Sequence, residues 1–452
     1  MKIAIIGAAG VRTPLLIYGL AEVSRAVPIS EVAFWDIDVP RLAVMGKISS
    51  AMATRSQLQA SLTICTAPEK ALEGADYVIT SVRVGGIEAR IKDETIALAH
   101  GLVGQETVGA GGFACAMRNL AVMLDYARLI ERIAPQAIVV NFTNPVGIIS
   151  QGLLNHTAVN VIGVCDTPLE TFESIAAALG RNPFELEFDY LGLNHLGWVR
   201  SVRTKTGEDL LPTILASPDL IQRCYRHALF PADFIQRLGL LPTEYLYFYY
   251  FPEVAYRNTK RTGQSRGEAI SQMNRELLQR LSDAPEAKLI EIYENYLRER
   301  NASYFSIEAS AGKTRKAGQE LYSEFSGYER IAALVLAALN SQSSTSIPLT
   351  VRNHGALEDL EPGDAVEVPC AVSSAGVTPR QVGPAPAAVR DLLQKVKEYE
   401  RLTVQAAVSH SAAAALSALV RNPLVAQQEI ATAVLSDYVQ AFGGQMGLQR
   451  YG

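Results

Sequence analysis

Cysteine is scarce and scattered: Cys65, Cys115, Cys165, Cys224 and Cys370 are the five in 452 residues, an odd number with no close pair. That spacing offers neither a disulfide framework nor a Cys-x-x-Cys metal knuckle, and it favours a reducing compartment. No stretch of about 18 apolar residues occurs, so no membrane-crossing helix is expected. One of the longest apolar runs, residues 331–339, is far shorter and lies between Arg330 and Asn340. The N-terminus enters an apolar run at once, without the cleavage region of a secretory signal. A basic run is missing too. With 41 basic and 46 acidic side chains the formal charge is −5, which gives nucleic acid or an anionic membrane no electrostatic purchase. These absences leave a soluble, cytoplasmic protein as the expectation. Hydrophobic residues at 48% and charged residues at 19% suit a well-packed globular chain, long enough for two or three domains of about 150 residues.

The first third alternates short β-branched runs with longer helical patterns, as a parallel sheet does. Strands are expected over 3–6, 31–36, 76–81, 137–141 and 161–164, with the first helix over 12–23. After Pro168 the pattern changes. Two strands, 188–193 and 196–203, meet at a hinge containing Asn194-His195, and helical patterns dominate from 221 to about 339. Ala365-Val366-Glu367-Val368 has the alternation of an exposed mixed strand, and long Ala/Leu-rich helices run from 387 to about 442. No internal repeat or low-complexity linker breaks the chain. The division expected is residues 1–168 as a nucleotide-binding unit and 169–452 as a C-terminal catalytic, substrate and oligomerisation unit.

Gly7-Ala8-Ala9-Gly10 lies between the first strand and the first helix, where backbone N–H groups at a helix N-terminus receive a pyrophosphate. The full G-x-G-x-x-G spacing is missing, and a tight strand-to-helix turn would account for these glycines as well. Asp36, at the end of the second strand, stands where an acid that accepts both ribose hydroxyls is expected. Its charge would repel a 2′-phosphate, so NAD is favoured over NADP. Val11 and Arg12 open the helix, and the Arg12 guanidinium would suit the pyrophosphate or a phosphate on a substrate.

Three further segments carry groups that folding alone does not require: Gly104 to Gly112 with Gln105, Glu106 and Thr107; Asn141 to Pro145; and Gly163 to Pro168. All should face the C-terminal edge of the sheet, where open α/β sheets bind ligands. Cys165 and His195 are candidates for a metal pair, although a lone Cys is more usually a small buried hydrophobe and a lone His a hydrogen-bonded core or surface residue.

Read together, these segments resemble glycoside hydrolase family four, the NAD- and manganese-dependent glycosidases. The resemblance runs through Arg12-Thr13-Pro14, Asp36-Ile37-Asp38 with Arg41, Arg83 to Gly86 leading to Arg90, and Gly104 to Thr107. It continues through Asn141 to Pro145, Cys165 to Pro168, Gly192 to His195, Pro242 to Tyr245, Arg266-Gly267-Glu268 and Val366 to Pro369. The fold implied is α/β: a Rossmann-like doubly wound parallel sheet with a C-terminal α+β, mainly helical domain, as in lactate and malate dehydrogenases. Gly7, Ala8, Gly10, Val11, Arg12, Asp36 and Arg41 would bind NAD. Cys165 and His195 would hold Mn²⁺ or another divalent metal with hydroxyls of the sugar. Asp166 would be the general acid, Tyr245 the base for C2, and Asn144, Arg90 and Arg266 would hold the sugar or its 6-phosphate.

The chemistry implied is hydride removal from C3 by NAD⁺, loss of the acidified C2 proton to Tyr245, elimination of the C1 group, addition of water and return of the hydride. The expected substrate is a 6-phospho-β-glucoside. The runners-up are a 6-phospho-α-glucoside, to which the Cys-Asp-x-Pro form points, and an unphosphorylated glycoside. The rival class is an NAD-dependent hydroxy-acid dehydrogenase, which would leave Cys165 and Tyr245 without a task. A homodimer or homotetramer is expected from the apolar-faced helices of the second half and from the resemblance.

Overall fold

The computed structural model describes residues 1–225, 227–308 and 321–448. Six parallel strands form its centre: β1 (Lys2–Ile6), β2 (Glu31–Trp35), β3 (Ser61–Ile64), β4 (Tyr77–Thr80), β5 (Ile138–Asn141) and β6 (Asn160–Gly163). Their order is β3-β2-β1-β4-β5-β6. The order reverses between β1 and β4, and ligands bind doubly wound sheets at such a switch point. Ile3 to Ile6 and Val78 and Ile79 are fully buried, as expected of parallel strands covered on both faces. β3 was not expected from the sequence. It is the exposed edge, and Ser61 to Ile64 carries no apolar run to announce it.

The Asn194-His195 hinge is a two-residue hairpin turn joining β7 (Leu186–Leu193) to β8 (Leu196–Thr204), with Leu193 opposite Leu196. A short third strand, β9 (Leu241–Pro242), pairs Pro242 with Trp198. Three more strands, β10 (Thr345–Arg352), β11 (Ala365–Ser373) and β12 (Gly376–Pro379), extend the central sheet. β10 pairs antiparallel with β6 through Thr350 and Gly163, so the sheet has nine strands.

One expectation is corrected here. The alternation at residues 365–368 predicts an exposed strand, yet Ala365, Val366, Glu367 and Val368 are at most 1% exposed. β11 lies between β10 and β12 with β7 packed against it, and its one acidic residue is matched internally by hydrogen bonds. The alternation marks a polar network inside the core, not a solvated face.

The helical region begins as expected, although residues 226 and 309–320 within it lie outside the described residues. Helix Arg266–Ser282 opens with a capping box, Ser265 and Glu268 bonding reciprocally to each other's backbone. Helix Ala387–Ser409 returns across Gly109–Ile133 and Val146–His156. Among the described residues no helix is long and apolar enough to cross a membrane.

Candidate active site

A cleft of about 1740 Å³ opens along the C-terminal edge of the sheet. That exceeds the roughly 300–1,000 Å³ of an ordinary small-molecule pocket. A dinucleotide and a second ligand would fit side by side.

At one end, Gly7 has φ +91° and a Cβ there would run into the carbonyl of Ser81, so only glycine lets β1 turn beside β4. Asp36 accepts from the N–H of Ala9 and of Asp38, each at 2.9 Å, which fixes its carboxylate at the rim. Helix Thr13–Ser24 begins at Arg12 with no side-chain cap, and such an N-terminus suits an anion. Gly7, Gly10, Val11, Asp36 and Arg41 line this end. Ala8 does not: it is fully buried and its N–H is bonded to Trp35 O. Arg12 leans away from the nucleotide end. Its guanidinium meets Asp166 at 3.5 Å and lies 4.8 Å from the centre of the Tyr328 ring.

Farther along, four segments distant in sequence converge. Cys165 and Asp166 follow β6, and the Cys165 thiol donates to Thr167 Oγ1 at 3.3 Å. His195 occupies the hairpin turn at φ 61°, a left-handed conformation that would suit glycine better. Because β9 pairs with β8, the chain leaving Pro242 passes over that turn, and Thr243 N–H bonds to Gly197 O at 2.9 Å. Tyr245 therefore stacks on His195, with ring centres 3.7 Å apart and planes 3° from parallel. Asn144, after β5, has a buried Oδ1 without a partner.

The tautomer of His195 follows from its neighbours. Gln105 Oε1 accepts from the hydroxyl and N–H of Thr107 and from Val108 N–H. With its own proton committed, the Thr107 hydroxyl accepts from His195 Nδ1 at 3.0 Å. The proton is thus on Nδ1 and the lone pair is on Nε2, the arrangement of a metal-ligating histidine. Burial holds this imidazole neutral, pushing its pKa down to about 3. Burial, Glu367 and Asp166 push the Cys165 thiol up. Burial also pushes the Tyr245 phenol up, against a hydrogen bond from Tyr304. Neither thiolate nor phenolate is favoured by the chain alone; both require a nearby positive charge.

The cleft's arginines divide into two kinds. Arg90 is committed to carboxylates, to Glu94 and Glu106 at 2.9 Å each, and Arg83 also pairs with Glu106 at 2.7 Å. Although burial opposes it, these arginines hold Glu106 below the usual carboxylate range. Arg266 bonds instead to Ser303 Oγ and to the carbonyl of Arg300, while Arg300 bonds to the phenol of Tyr296. Burial and the neighbouring Arg90 and Arg300, opposed by Glu308, push Arg266 down to about 10. Arg266 also sits in the first turn of its helix, where the helix dipole disfavours a cation. Cationic repulsion inside a cleft is relieved by an anion.

Arg300 and Tyr304 were not singled out by sequence reasoning. Thr107 stood in a segment already noted for its glycines, but its bond to His195 spans 88 positions and has no local signal. Asn119 also went unread. It accepts from Val84 N–H at 2.9 Å and donates to Asn144 O at 2.7 Å, tying the loop after β4 to the loop after β5.

The family model described as Family 4 glycosyl hydrolase matches residues 2–181, and that for its C-terminal domain matches 190–425. The 6-phospho-beta-glucosidase BglT of Thermotoga maritima is 30% identical over 443 residues, covering 98% of each chain. Phospho-alpha-glucosidase PagL of Clostridium acetobutylicum is 29% identical over 463 residues, again 98% of each. A solved structure of the Thermotoga maritima 6-phospho-beta glucosidase with manganese, NAD+ and glucose-6-phosphate matches with a TM-score of 0.82 at 27% identity, covering 99% of this chain and 100% of that one.

Proposed function

This chain belongs to glycosyl hydrolase family 4, and from that premise we propose that its cleft binds NAD and a divalent metal such as Mn²⁺ and hydrolyses 6-phospho-glucosides, with the β-anomer preferred. One observation carries the reading: Cys165, His195 and Tyr245 line the same cleft as the Gly7 loop, with the His195 and Tyr245 rings stacked. The phosphate and the β preference rest on similarity to the Thermotoga enzyme. The Clostridium relative acts on the α-form and keeps that anomer as the second reading.

The donors fit the metal. Among the described residues no cluster of three His, Cys, Asp or Glu forms. Cys165 and the Nε2 lone pair of His195 would hold the ion, with the remaining positions open to sugar hydroxyls and the unpartnered Asn144 Oδ1 nearby. The rim fits the nucleotide, since Asp36 keeps lone pairs for ribose hydroxyls and its charge opposes a 2′-phosphate. When bound, the nicotinamide supplies reversible hydride acceptance at C3 and the metal supplies Lewis-acid stabilisation of the charge that develops at C2.

The remaining tasks fall to side chains. Tyr245 takes the proton from C2, its ring held by His195 and its oxygen by Tyr304. Asp166, positioned by Arg12 at 3.5 Å, serves as the acid, taking up a proton from solvent and passing it to the leaving oxygen. Asn144 accepts from a sugar hydroxyl. Arg266 and Arg300 receive the 6-phosphate, while Arg90 shapes the wall through Glu106. Residues 1–168 carry the nucleotide rim together with Asn144, Cys165 and Asp166, and 169–452 supply the base, the imidazole, the phosphate arginines and the surface for a homodimer or homotetramer. The compartment in this reading is the cytoplasm.

Turnover of 4-nitrophenyl β- and α-glucoside 6-phosphates with NAD⁺ and Mn²⁺ tests the reading. Nitrophenol released without accumulation of NADH is expected, fastest from the β-anomer. NADH rising in step with substrate loss would instead establish a dehydrogenase.

A further inference from the structure

Within electrostatic reach of the Cys165 thiol lies a carboxylate that none of these steps uses. Glu367, in β11, is 1% exposed. One of its oxygens accepts from the Tyr190 phenol at 2.6 Å; the other accepts from Asn194 Nδ2 at 3.2 Å and from Thr350 Oγ1 at 3.4 Å. The donors come from β7, the hairpin turn and β10, and all are neutral. Both oxygens accept, which is how an ionised carboxylate is held, although burial, helped by Glu400, pushes its pKa up to about 7 against these three bonds. Among the described residues its charged neighbour is another acid, Glu400, which is itself paired with Lys397. A buried anion without a cation is strongly disfavoured. Here it also lies within electrostatic reach of Cys165, a second group whose ionised form needs positive charge.

The hydrogen bonds make a second, geometric point. Asn194 directly precedes His195, and the turn holds His195 in a left-handed conformation that needs support from outside the hairpin. Glu367 supplies that support through Asn194 Nδ2, while Thr107 holds the imidazole.

Building on the metal site proposed above, we propose that Glu367 is a positioning residue of that site: through Asn194 it fixes the turn presenting His195, and its unpaired negative charge offsets the cation held by Cys165 and His195. The residue touches neither sugar nor nucleotide. Outer-shell partners of metal ligands characteristically contribute about 10–100-fold in affinity.

The test is the Mn²⁺ affinity of the full-length chain with NAD⁺ present, read from the electron paramagnetic resonance signal of free Mn²⁺, beside the NAD⁺ affinity measured without metal. Glu367→Gln, which keeps the shape and removes the charge, should weaken Mn²⁺ binding about 10–100-fold and leave NAD⁺ binding unchanged. Glu367→Gln binding Mn²⁺ as the wild type does would overturn the proposal. Should that variant fail to fold, Asn194→Ala keeps the charge and cuts the tether; a roughly tenfold loss supports the proposal, and wild-type Mn²⁺ affinity overturns it. Thr350→Val removes the longest of the three bonds and should leave Mn²⁺ affinity intact. An equal loss there would reduce Glu367 to general packing and overturn the proposal. Wild-type protein that takes up no Mn²⁺ at all would instead refute the metal reading beneath it.

Discussion

At the nucleotide end of the cleft, Gly7, Gly10 and Asp36 come from one βαβ unit; at the sugar end, Cys165, His195, Tyr245 and Arg266 come from four separate elements. The first end is held mainly through backbone N–H groups: those of Gly7 and Ala8 on Trp35 O, and that of Ala9 on the Asp36 carboxylate. The second is held by side chains, through Thr107 on His195, Tyr304 on Tyr245 and Glu367 on Asn194. Backbone geometry can be written into a short stretch of sequence. A side-chain network exists only after the hairpin, the loop after β9 and helix Leu289–Ala302 have been brought to one place. Substitutions should therefore separate the ends, with sugar-end changes costing turnover or metal and nucleotide-end changes costing NAD.

The largest separation is expected from Tyr245→Phe. The ring stays stacked on His195, so folding and NAD affinity hold, while loss of the base lowers kcat by about 10²–10⁴-fold. Steady-state kinetics beside a thermal melt would check this, and near-normal turnover would merge the two ends again. Next, Thr107→Val frees the imidazole without touching the nucleotide end. Metal affinity should fall about 10–100-fold with NAD affinity unchanged, as calorimetry with each ligand would show.

At the other end, Asp36→Asn should weaken NAD binding about tenfold and narrow the discrimination against NADP, since charge-assisted bonds to the ribose contribute roughly 1.5–3 kcal/mol. Metal affinity should not move. Fluorescence titration with both nucleotides decides it.

The effect that is smallest at neutral pH, and grows on acidification, concerns protonation of His195. Burial pushes the pKa of His195 down to about 3, against 6.5 for a free imidazole. Between those values the unfolded chain binds a proton that the folded chain refuses, so this residue lowers stability progressively as pH falls below 6.5. His195→Gln should be less acid-sensitive, its melting temperature gaining on the wild type from pH 7 towards pH 4. A difference that stays constant with pH would show that His195 does not titrate as its burial requires.

The same contrast explains what could be read in advance. The parallel strands, the glycine turn, Asp36 and the hairpin at Asn194-His195 were legible because each is carried by neighbouring residues with a characteristic pattern. β3 escaped because an edge strand needs no apolar run, and residues 365–368 were misplaced on the surface because a buried glutamate and a solvated one alternate with valine identically. Within the aromatic run from Tyr245 to Phe251, composition gives no reason to choose one ring; resemblance to a family picked out Tyr245, and the stacking on His195 now distinguishes it physically. Arg300 and Tyr304 had no such help. Their importance comes from where the end of one helix lies against the cleft, which no window of sequence contains.

The account turns on removal of the C2 proton of the sugar before the glycosidic bond breaks. Hydrolysis of a 6-phospho-β-glucoside in D₂O, with NAD⁺ and Mn²⁺ present and the product examined by NMR, measures that step directly. The expected product carries deuterium at C2 and hydrogen at C3, with incorporation tracking turnover. A product with hydrogen still at C2 would mean that the bond is cleaved without deprotonation and would contradict the role given to Tyr245.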